Sequence, residues 1–510
     1  MTMPRLSRDV VASIRTQGAP ESLELPPPSA LGLGEAVVQF GTGAFLRGFA
    51  DYFIDAANRE GNFGGSIVTV SSTGSQRNWA LNEQKGLFTL AIQGMQGGVA
   101  RQTYRVVGSI SRALSAHDEW EDVLAVARDP NIRLIISNTT EVGIALDESD
   151  RFDLRPPRSF PGKLTRFLAE RARALYYEPG NGLVVLPCEL IEDNGKTLRG
   201  MVVALARRWR LGARFEKWLD ESVTFCNTLV DRIVPGVVPQ AESDEATTPF
   251  GYSDALLTSC ESYALFAIEG DDALRDRLGF VGTDSRILVV PDVRPYRLRK
   301  VRVLNGGHTI TVPLALLAGL KTVQQATADD RVGAFMRRAI LDEIVPGVDA
   351  PDVEPFAREV LDRFANPFVR HALIDITLHG TAKMRVRVVP SIMRYFEQVG
   401  RAPLSLAFGF AAYLAFMRGE LHAQWTAAGI HAPEDSEGER VRRACQAADW
   451  NSDTSVVDLA IAIASDVRLW RADLSVVPGF VDAVADSLLR IVRNGISAAL
   501  DEHLSETANA

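Results

Sequence analysis

Residues 37–49, VVQFGTGAFLRGF, join a short apolar run to a helical repeat through two glycines. Before Gly41 the run has the length and composition of a buried strand. After Gly43, Phe45, Phe49, Phe53 and Ala56 recur at helical spacing. Glycines at such a junction permit a tight turn and let backbone amides approach a pyrophosphate, whose charge the helix N-terminus favours. The third glycine of the usual fingerprint is absent: Leu46 stands there, and Gly48 follows two residues later. A dinucleotide turn and an ordinary strand-to-helix turn both fit these residues, and first place in a βαβ series favours the former.

That series continues outward. Strand-like runs at 66–70, 133–137 and 182–187 alternate with helical patterns from His117, Pro161 and Lys196. Such alternation predicts an α/β domain with a parallel sheet covered by helices. Beyond about Pro295 the strand signal fades. Helical periodicity takes over, as in Val481, Val484, Leu488, Ile491 and Val492. The expected organisation is an irregular lead-in over 1–35, a nucleotide-binding domain over 36–295, and a mostly α-helical substrate and catalytic domain over 296–510.

A chain of 510 residues is long enough for two cores, and 46% apolar with 23% charged residues describes a globular protein. The balance of 55 basic against 64 acidic residues, net −9, without a long basic block, argues against nucleic acid as a partner. The run LSLAFGFAAYLAFM (404–417) falls short of the roughly 20 apolar residues that span a membrane, so it reads as a buried helix. The first twenty residues lack the apolar core of a signal peptide, which predicts a cytoplasmic protein. Cys188, Cys226, Cys260 and Cys445 are too scattered to suggest a disulfide framework or a zinc site.

Ribose recognition usually calls for an acid at the end of the second strand. Here VSSTGSQR (70–77) offers no carboxylate. Ser71, Ser72 or Thr73 suits a ribose hydroxyl, while Arg77 with the hydroxyls suits a 2'-phosphate, so the residues leave NAD and NADP both open. In LIISNTTEVG (134–143), Asn138, Thr139 and Thr140 follow a strand and are candidates for the ribose or for a helix cap. Gly41, Gly43, Ala44, Phe45, Leu46, Ser72, Asn138, Thr139 and Thr140 form the candidate cofactor site.

Three later stretches carry polar groups suited to chemistry. In RLRKVRVLNGGHT (297–309), a regular helix would place His308 about 80° and Asn305 about 140° around from Lys300, on one broad side. Gly306 and Gly307 weaken such a helix, which implies a close approach by something. Cations at Arg297, Arg299 and Arg302 would ease loss of a proton from Lys300, as a group that gives and takes a proton requires. In FCNTLVDRIVPG (225–236), Asp231 beside Arg232 suits an ion pair or a substrate hydroxyl. In RFANPFVRHALIDITLHGTAKMRVRVVP (363–390), Arg370, His371, His379, Lys383, Arg385 and Arg387 form either a solvated basic face or a seat for an anionic substrate.

Together these pieces resemble the mannitol dehydrogenase family of polyol-specific long-chain dehydrogenases, in which a GxGxF turn opens the cofactor domain and a KxxxxNxxH motif carries the catalytic lysine. Here they read Gly41-Thr42-Gly43-Ala44-Phe45 and Lys300 through Asn305 to His308. The stretches QFGTGAFLR, SNTTEVGI, LPCELIEDNG, FCNTLVDRIV, KVRVLNGGHT and RFANPFVRHALIDITLHGTAKMRVRVVP resemble the sugar-acid branch of that family, in one order from about residue 36 onward.

The resemblance implies NAD-dependent, metal-independent reduction of the keto group of D-tagaturonate to D-altronate, in bacterial hexuronate breakdown. It implies Lys300 as acid and base, Asn305 as donor to the developing alkoxide, and His308 as partner of substrate and lysine. It also places Asp231 and Lys383 at the sugar, and leaves Arg370, His371 and Arg387 as candidates for the substrate carboxylate. Where mannitol dehydrogenases carry a second oxyanion asparagine, this chain has Leu190 after Cys188-Glu189, and leucine cannot donate that bond. The alternatives are a fructuronate reductase or mannitol-type enzyme of the same family, and a non-catalytic NADH-binding sensor. Oligomeric state is not legible.

Overall fold

The computed structural model describes residues 3–72, 76–96, 98–139, 143–236 and 238–507. The chain divides into two compact units, Met1–Gly94 with Arg101–Val293, and Met95–Ala100 with Arg294–Ala510. In the first, strands Ile110–Ser115, Ser66–Ser71, Glu35–Phe40, Leu134–Ser137, Val184–Pro187 and Thr224–Phe225 lie side by side in that order, each parallel to its neighbour. Numbered along the chain, this is the 3-2-1-4-5-6 order of a doubly wound nucleotide-binding sheet.

Strand alternation explains the core. Val37, Ile67, Leu134 and Val184 belong to one buried cluster with Phe49 and Phe53. Val38, Val68, Ile135 and Val185 belong to another with Leu124, Leu164 and Phe167. A parallel sheet is covered on both faces, which is why these strands read as unbroken apolar runs. The covering helices include Trp120–Arg128, Phe160–Ala174 and Asn194–Arg208. Ser159 caps the second of them, its hydroxyl accepting from the Gly162 amide at 3.0 Å.

Three features depart from expectation. The helix after the glycine turn is broken into Ala44–Arg47 and Ala50–Arg59. Arg232 takes the Gly48 carbonyl at 2.7 Å, an acceptor that a continuous helix would use, although Phe45, Phe49 and Phe53 still pack ring against ring in sequence. Two smaller sheets are also present, one of Leu23–Glu24, Val99–Val107, Phe88–Gln96 and Thr258–Glu261, the other of Thr228–Asp231, Leu265–Glu269 and Ile287–Val290. Finally, the N-terminal stretch is ordered: Ser7 caps a helix over Arg8–Gln17, and Leu6, Val11 and Leu23 pack with Leu87, Val106 and Tyr252. Val10, Val11 and Ile14 supply an apolar stripe that the Pro- and Gly-rich residues after it obscured.

The second unit is mostly helical. Leu404–Met417 is buried over almost its whole length, and Gly409 lets Ile310 of helix Gly307–Leu317 come so near that a Cβ would meet it at 2.4 Å. Glu343 caps this buried helix, accepting from the Ser405 and Leu406 amides at 2.7 Å each, and burial pushes its carboxyl up to about 7. In Phe480–Thr507, Val484, Leu488 and Ile491 are buried, as their spacing predicts. No single helix among the described residues is long and apolar enough to cross a membrane.

One buried acid beneath the glycine turn carries a thermodynamic signature. Asp51 is fully buried, neither of its side-chain oxygens has a hydrogen-bond partner among the described residues, and Gln39 Oε1 is likewise unpartnered. Burial raises the Asp51 carboxyl to about 8, against the opposing influence of Arg47 and Gln39. Gln39 Nε2 donates to the Gly41 carbonyl at 3.1 Å, so the amide that opposes the rise also holds the glycine turn. Because the folded carboxyl holds its proton more tightly than the unfolded one, stability is full below the ordinary value of 3.8 and falls as pH rises toward about 8. Asp51→Asn is therefore expected to flatten this decline by about 1.4 kcal/mol per pH unit at most. Thermal melts of both proteins between these limits check it: a melting difference that does not grow with pH would contradict the assignment.

Candidate functional site

Two sets of groups carry the candidate chemistry, one in each unit. In the first unit the strands Glu35–Phe40 and Leu134–Ser137 are neighbours whose following connections run to opposite sides, the switch point where such sheets hold ligands. Gly41 sits at their carboxyl ends with φ +126°, and a Cβ there would lie 2.8 Å from the Asn138 carbonyl. Only glycine fits that position. Gly43 differs: nothing lies within 4 Å of where its Cβ would be, so open space faces the turn.

The turn is braced from below. Arg47 is buried, donating to the Thr42 carbonyl at 2.8 Å and to Thr258 Oγ1 at 3.0 Å, and burial lowers its pKa to about 10. Ala44 and Phe45 are half-buried, whereas the Leu46 side chain belongs to the core, so only its backbone is available to a ligand. Ser72 and Thr139 line a cavity of about 470 Å³, walled farther out by Asp147, Glu148, Arg158 and Lys163. Charges of both signs meet there. Thr140, like Thr73, lies outside the described residues.

Glu189, to which the sequence assigned no role of its own beside Leu190, organises these strand ends. Its buried carboxylate accepts from Ser137 Oγ at 3.1 Å, the Thr139 amide at 3.0 Å and Thr139 Oγ1 at 3.1 Å, while burial holds its pKa above the ordinary range. Asn138 donates its side-chain amide to the Cys188 carbonyl at 2.7 Å. Asn194, also unread, joins two strands: its Nδ2 donates to the Pro187 carbonyl at 2.9 Å and its Oδ1 accepts from the Thr228 amide at 2.9 Å. A Cβ on Gly195 would meet the Cys226 carbonyl at 2.3 Å. The signal was the Asn-Gly pair that opens helix Asn194–Arg208. Leu190 is 63% exposed and offers no donor, and Asp231 is buried at the end of Thr228–Asp231. Arg232 beside it donates to the carbonyls of Gly48 and Glu261.

In the second unit, helix Arg294–Arg299 widens at Lys300 into a π-type helix, Lys300–Gly306, before tightening into Gly307–Leu317. The regular-helix angles expected from spacing therefore do not apply. The two glycines explain the departure: a Cβ on Gly306 would stand 3.3 Å from the Arg387 carbonyl, and one on Gly307 would meet Ile340 at 2.7 Å. Both neighbours lie in π-type helices of their own, Met384–Val388 and Ala339–Ile344. The close approach that the glycines implied is made by the chain itself.

This packing gathers a cluster around His308. Its ring lies 4.0 Å from that of Phe364 and 5.3 Å, nearly edge-on, from that of His371, centroid to centroid. Burial, then His371, Arg363, Arg387 and Lys383, push the His308 pKa well below the usual imidazole value, so the ring is neutral near pH 7. Lys383 donates to the Ile376 carbonyl at 2.9 Å, Arg387 to Thr309 Oγ1 at 3.3 Å, and Thr309 to the Asn305 carbonyl at 2.7 Å. Lys300 and Asn305 are half-buried along the widened stretch.

The other cations have structural work. Arg299 donates to the Pro351 carbonyl at 2.7 Å and stacks over Phe356, Arg302 donates to the carbonyls of Val386 and Arg387, and Arg385 pairs with Glu437. Arg370 and His379 are exposed.

Residues 35–280 match the mannitol dehydrogenase Rossmann domain, and residues 292–492 match the mannitol dehydrogenase C-terminal domain. The altronate oxidoreductase of Bacillus subtilis (strain 168) is 41% identical over 469 residues, covering 92% of this chain and 95% of that one. Among solved structures, a substrate-free D-sorbitol dehydrogenase superposes with a TM-score of 0.77 at 24% identity, covering 97% of this chain and 100% of that one. Pseudomonas fluorescens mannitol 2-dehydrogenase, in ternary complex with NAD and D-mannitol, gives 0.65 at 24% identity, covering 98% and 99%. The chain belongs to the mannitol dehydrogenase family, whose members are dehydrogenases acting on CH–OH groups.

Proposed function

We propose that this protein reduces the keto group of D-tagaturonate to give D-altronate, using NADH, as a step of hexuronate breakdown in the cytoplasm. The observation that carries the reading is the cation-ringed, neutral His308 at the end of the widened Lys300–Gly306 helix. Identity of 41% to an altronate oxidoreductase over nearly the whole chain supports the substrate. The fold shared with a mannitol 2-dehydrogenase bound to NAD supports the cofactor.

The first unit fits a dinucleotide on its own geometry, since the open space at Gly43 is a cradle that a side chain would fill. Gly41, Gly43, Ala44 and Phe45, with the Leu46 backbone, would line the pyrophosphate, and Ser72 and Thr139 the ribose. When bound, the nicotinamide supplies a hydride to the keto carbon. Lys300 gives its ammonium proton to the carbonyl oxygen as the alcohol forms, and takes it back in the reverse direction. Asn305 donates a hydrogen bond to that oxygen as negative charge develops. The neutral His308 ring keeps one donor and one acceptor, so it can bind a substrate oxygen and orient Lys300 together. His371, Lys383 and Asp231 are assigned to substrate oxygens. With Leu190 in place of a second amide donor, the oxyanion relies on Asn305.

Lys300→Ala is expected to lower kcat for D-tagaturonate by about 100-fold or more, as loss of a general acid does, with NADH affinity unchanged by fluorescence titration. A variant as active as the parent would remove Lys300 from the mechanism. At the turn, Gly43→Val is expected to weaken NADH binding by about tenfold or more without lowering the melting temperature. Gly41→Ala is expected to cost about 1–3 kcal/mol of stability, because both its backbone angle and the Asn138 carbonyl oppose a side chain. Equal NADH affinity in Gly43→Val would place the pyrophosphate elsewhere.

A further inference from the structure

We propose that Arg387 and Lys383 form the seat for the carboxylate of the sugar-acid substrate, with Arg387 as its main ligand; this rests on the keto-sugar-acid reading above. The two residues are four apart where helix Gly380–Lys383 runs into the π-type helix Met384–Val388. Arg387 is placed beside the widened helix that carries Lys300 and Asn305 by its bond to Thr309 and by its carbonyl against Gly306, and both cations act on His308.

Their charges are unanswered. A guanidinium has five N–H donors, and Arg387 spends one on Thr309 Oγ1 at 3.3 Å; Lys383 spends one on the Ile376 carbonyl. Among the described residues neither makes an ion pair. The carboxylate that bears on Lys383 from longer range is Asp435, whose Oδ2 already accepts from the Thr381 amide at 3.0 Å and from Thr381 Oγ1 at 2.7 Å. The contrast with nearby arginines is instructive. Arg385 has Glu437, and Arg299 has the Pro351 carbonyl and the Phe356 ring, so each is accounted for by the fold.

Half-buried cations without a counter-ion cost the free fold, and burial lowers the pKa of both Arg387 and Lys383. An arriving carboxylate offsets that cost. It matches the planar fork of a guanidinium with two parallel hydrogen bonds, whereas a neutral polyol has no group that does. Arg370, the other arginine considered for this role, is exposed, so it carries no such desolvation cost.

The test is steady-state kinetics of the full chain with NADH and D-tagaturonate, comparing the parent with Arg387→Met and Arg387→Lys, each checked for melting temperature and NADH affinity. Loss of a charged hydrogen-bonded contact predicts a rise in KM of about 10- to 100-fold in Arg387→Met, larger than any change in kcat, and a smaller rise in Arg387→Lys. The ratio of kcat/KM for D-tagaturonate to that for D-fructose is expected to fall in the same order. A parent that reduces D-tagaturonate while both folded variants keep its KM within about twofold would overturn the carboxylate seat alone. A parent that reduces no keto sugar acid would overturn the substrate reading, and the seat with it.

Discussion

The approach of Gly306 to the Arg387 carbonyl is the contact on which the catalytic unit turns. A side chain on residue 306 would stand 3.3 Å from that oxygen, tighter than such contacts usually are. The cation-bearing helix would have to give way. With glycine, the helices of Lys300–Gly306 and Met384–Val388 widen where they meet, and Arg302 fastens them by donating to the Val386 and Arg387 carbonyls. Widened turns re-aim the side chains they carry. Lys300 and Asn305 thus come from the same stretch whose packing brings Lys383 and Arg387 up to His308, and the ring is neutral because burial, reinforced by those cations, lowers its pKa.

The first unit shows the same economy at its strand ends. Gly41 packs against the Asn138 carbonyl, the Asn138 amide donates to the Phe40 carbonyl and its side chain to the Cys188 carbonyl, and Thr139 donates to Glu189, so the neighbouring strand exits are tied together. Buried Arg47, Asp51 and Gln39 lie beneath it, Arg47 donating to the Thr42 carbonyl and Gln39 to the Gly41 carbonyl. Polar residues in so apolar a core are expensive. Their placement under the turn fixes backbone groups that a nucleotide would meet.

Much of this was legible in the sequence for a physical reason. Strands buried on both faces must be apolar throughout, so Val37 to Phe40 and Leu134 to Ile136 announced a parallel sheet, and Gly41 announced its turn. The lysine motif was legible by spacing and by resemblance, but its geometry was not. Nothing local to 297–309 records that Ile340 and Arg387 press against the two glycines, so a regular helix was the natural reading. Cations adjacent to Lys300 looked like its electrostatic partners; Arg299 and Arg302 instead bond carbonyls distant in sequence. The lead-in helix was hidden because the prolines after residue 25 dominate its composition, and Glu189 because its partners lie about fifty residues away.

The most direct test is to offer the purified protein D-tagaturonate, D-fructuronate and D-fructose separately, with NADH and then NADPH, and to follow loss of nicotinamide absorbance. The account predicts rapid oxidation of NADH with D-tagaturonate, and weak or no oxidation with the other two. Binding of NADH without its oxidation by any of the three would contradict the account, leaving a nucleotide-binding protein of this fold that lacks the assigned reaction.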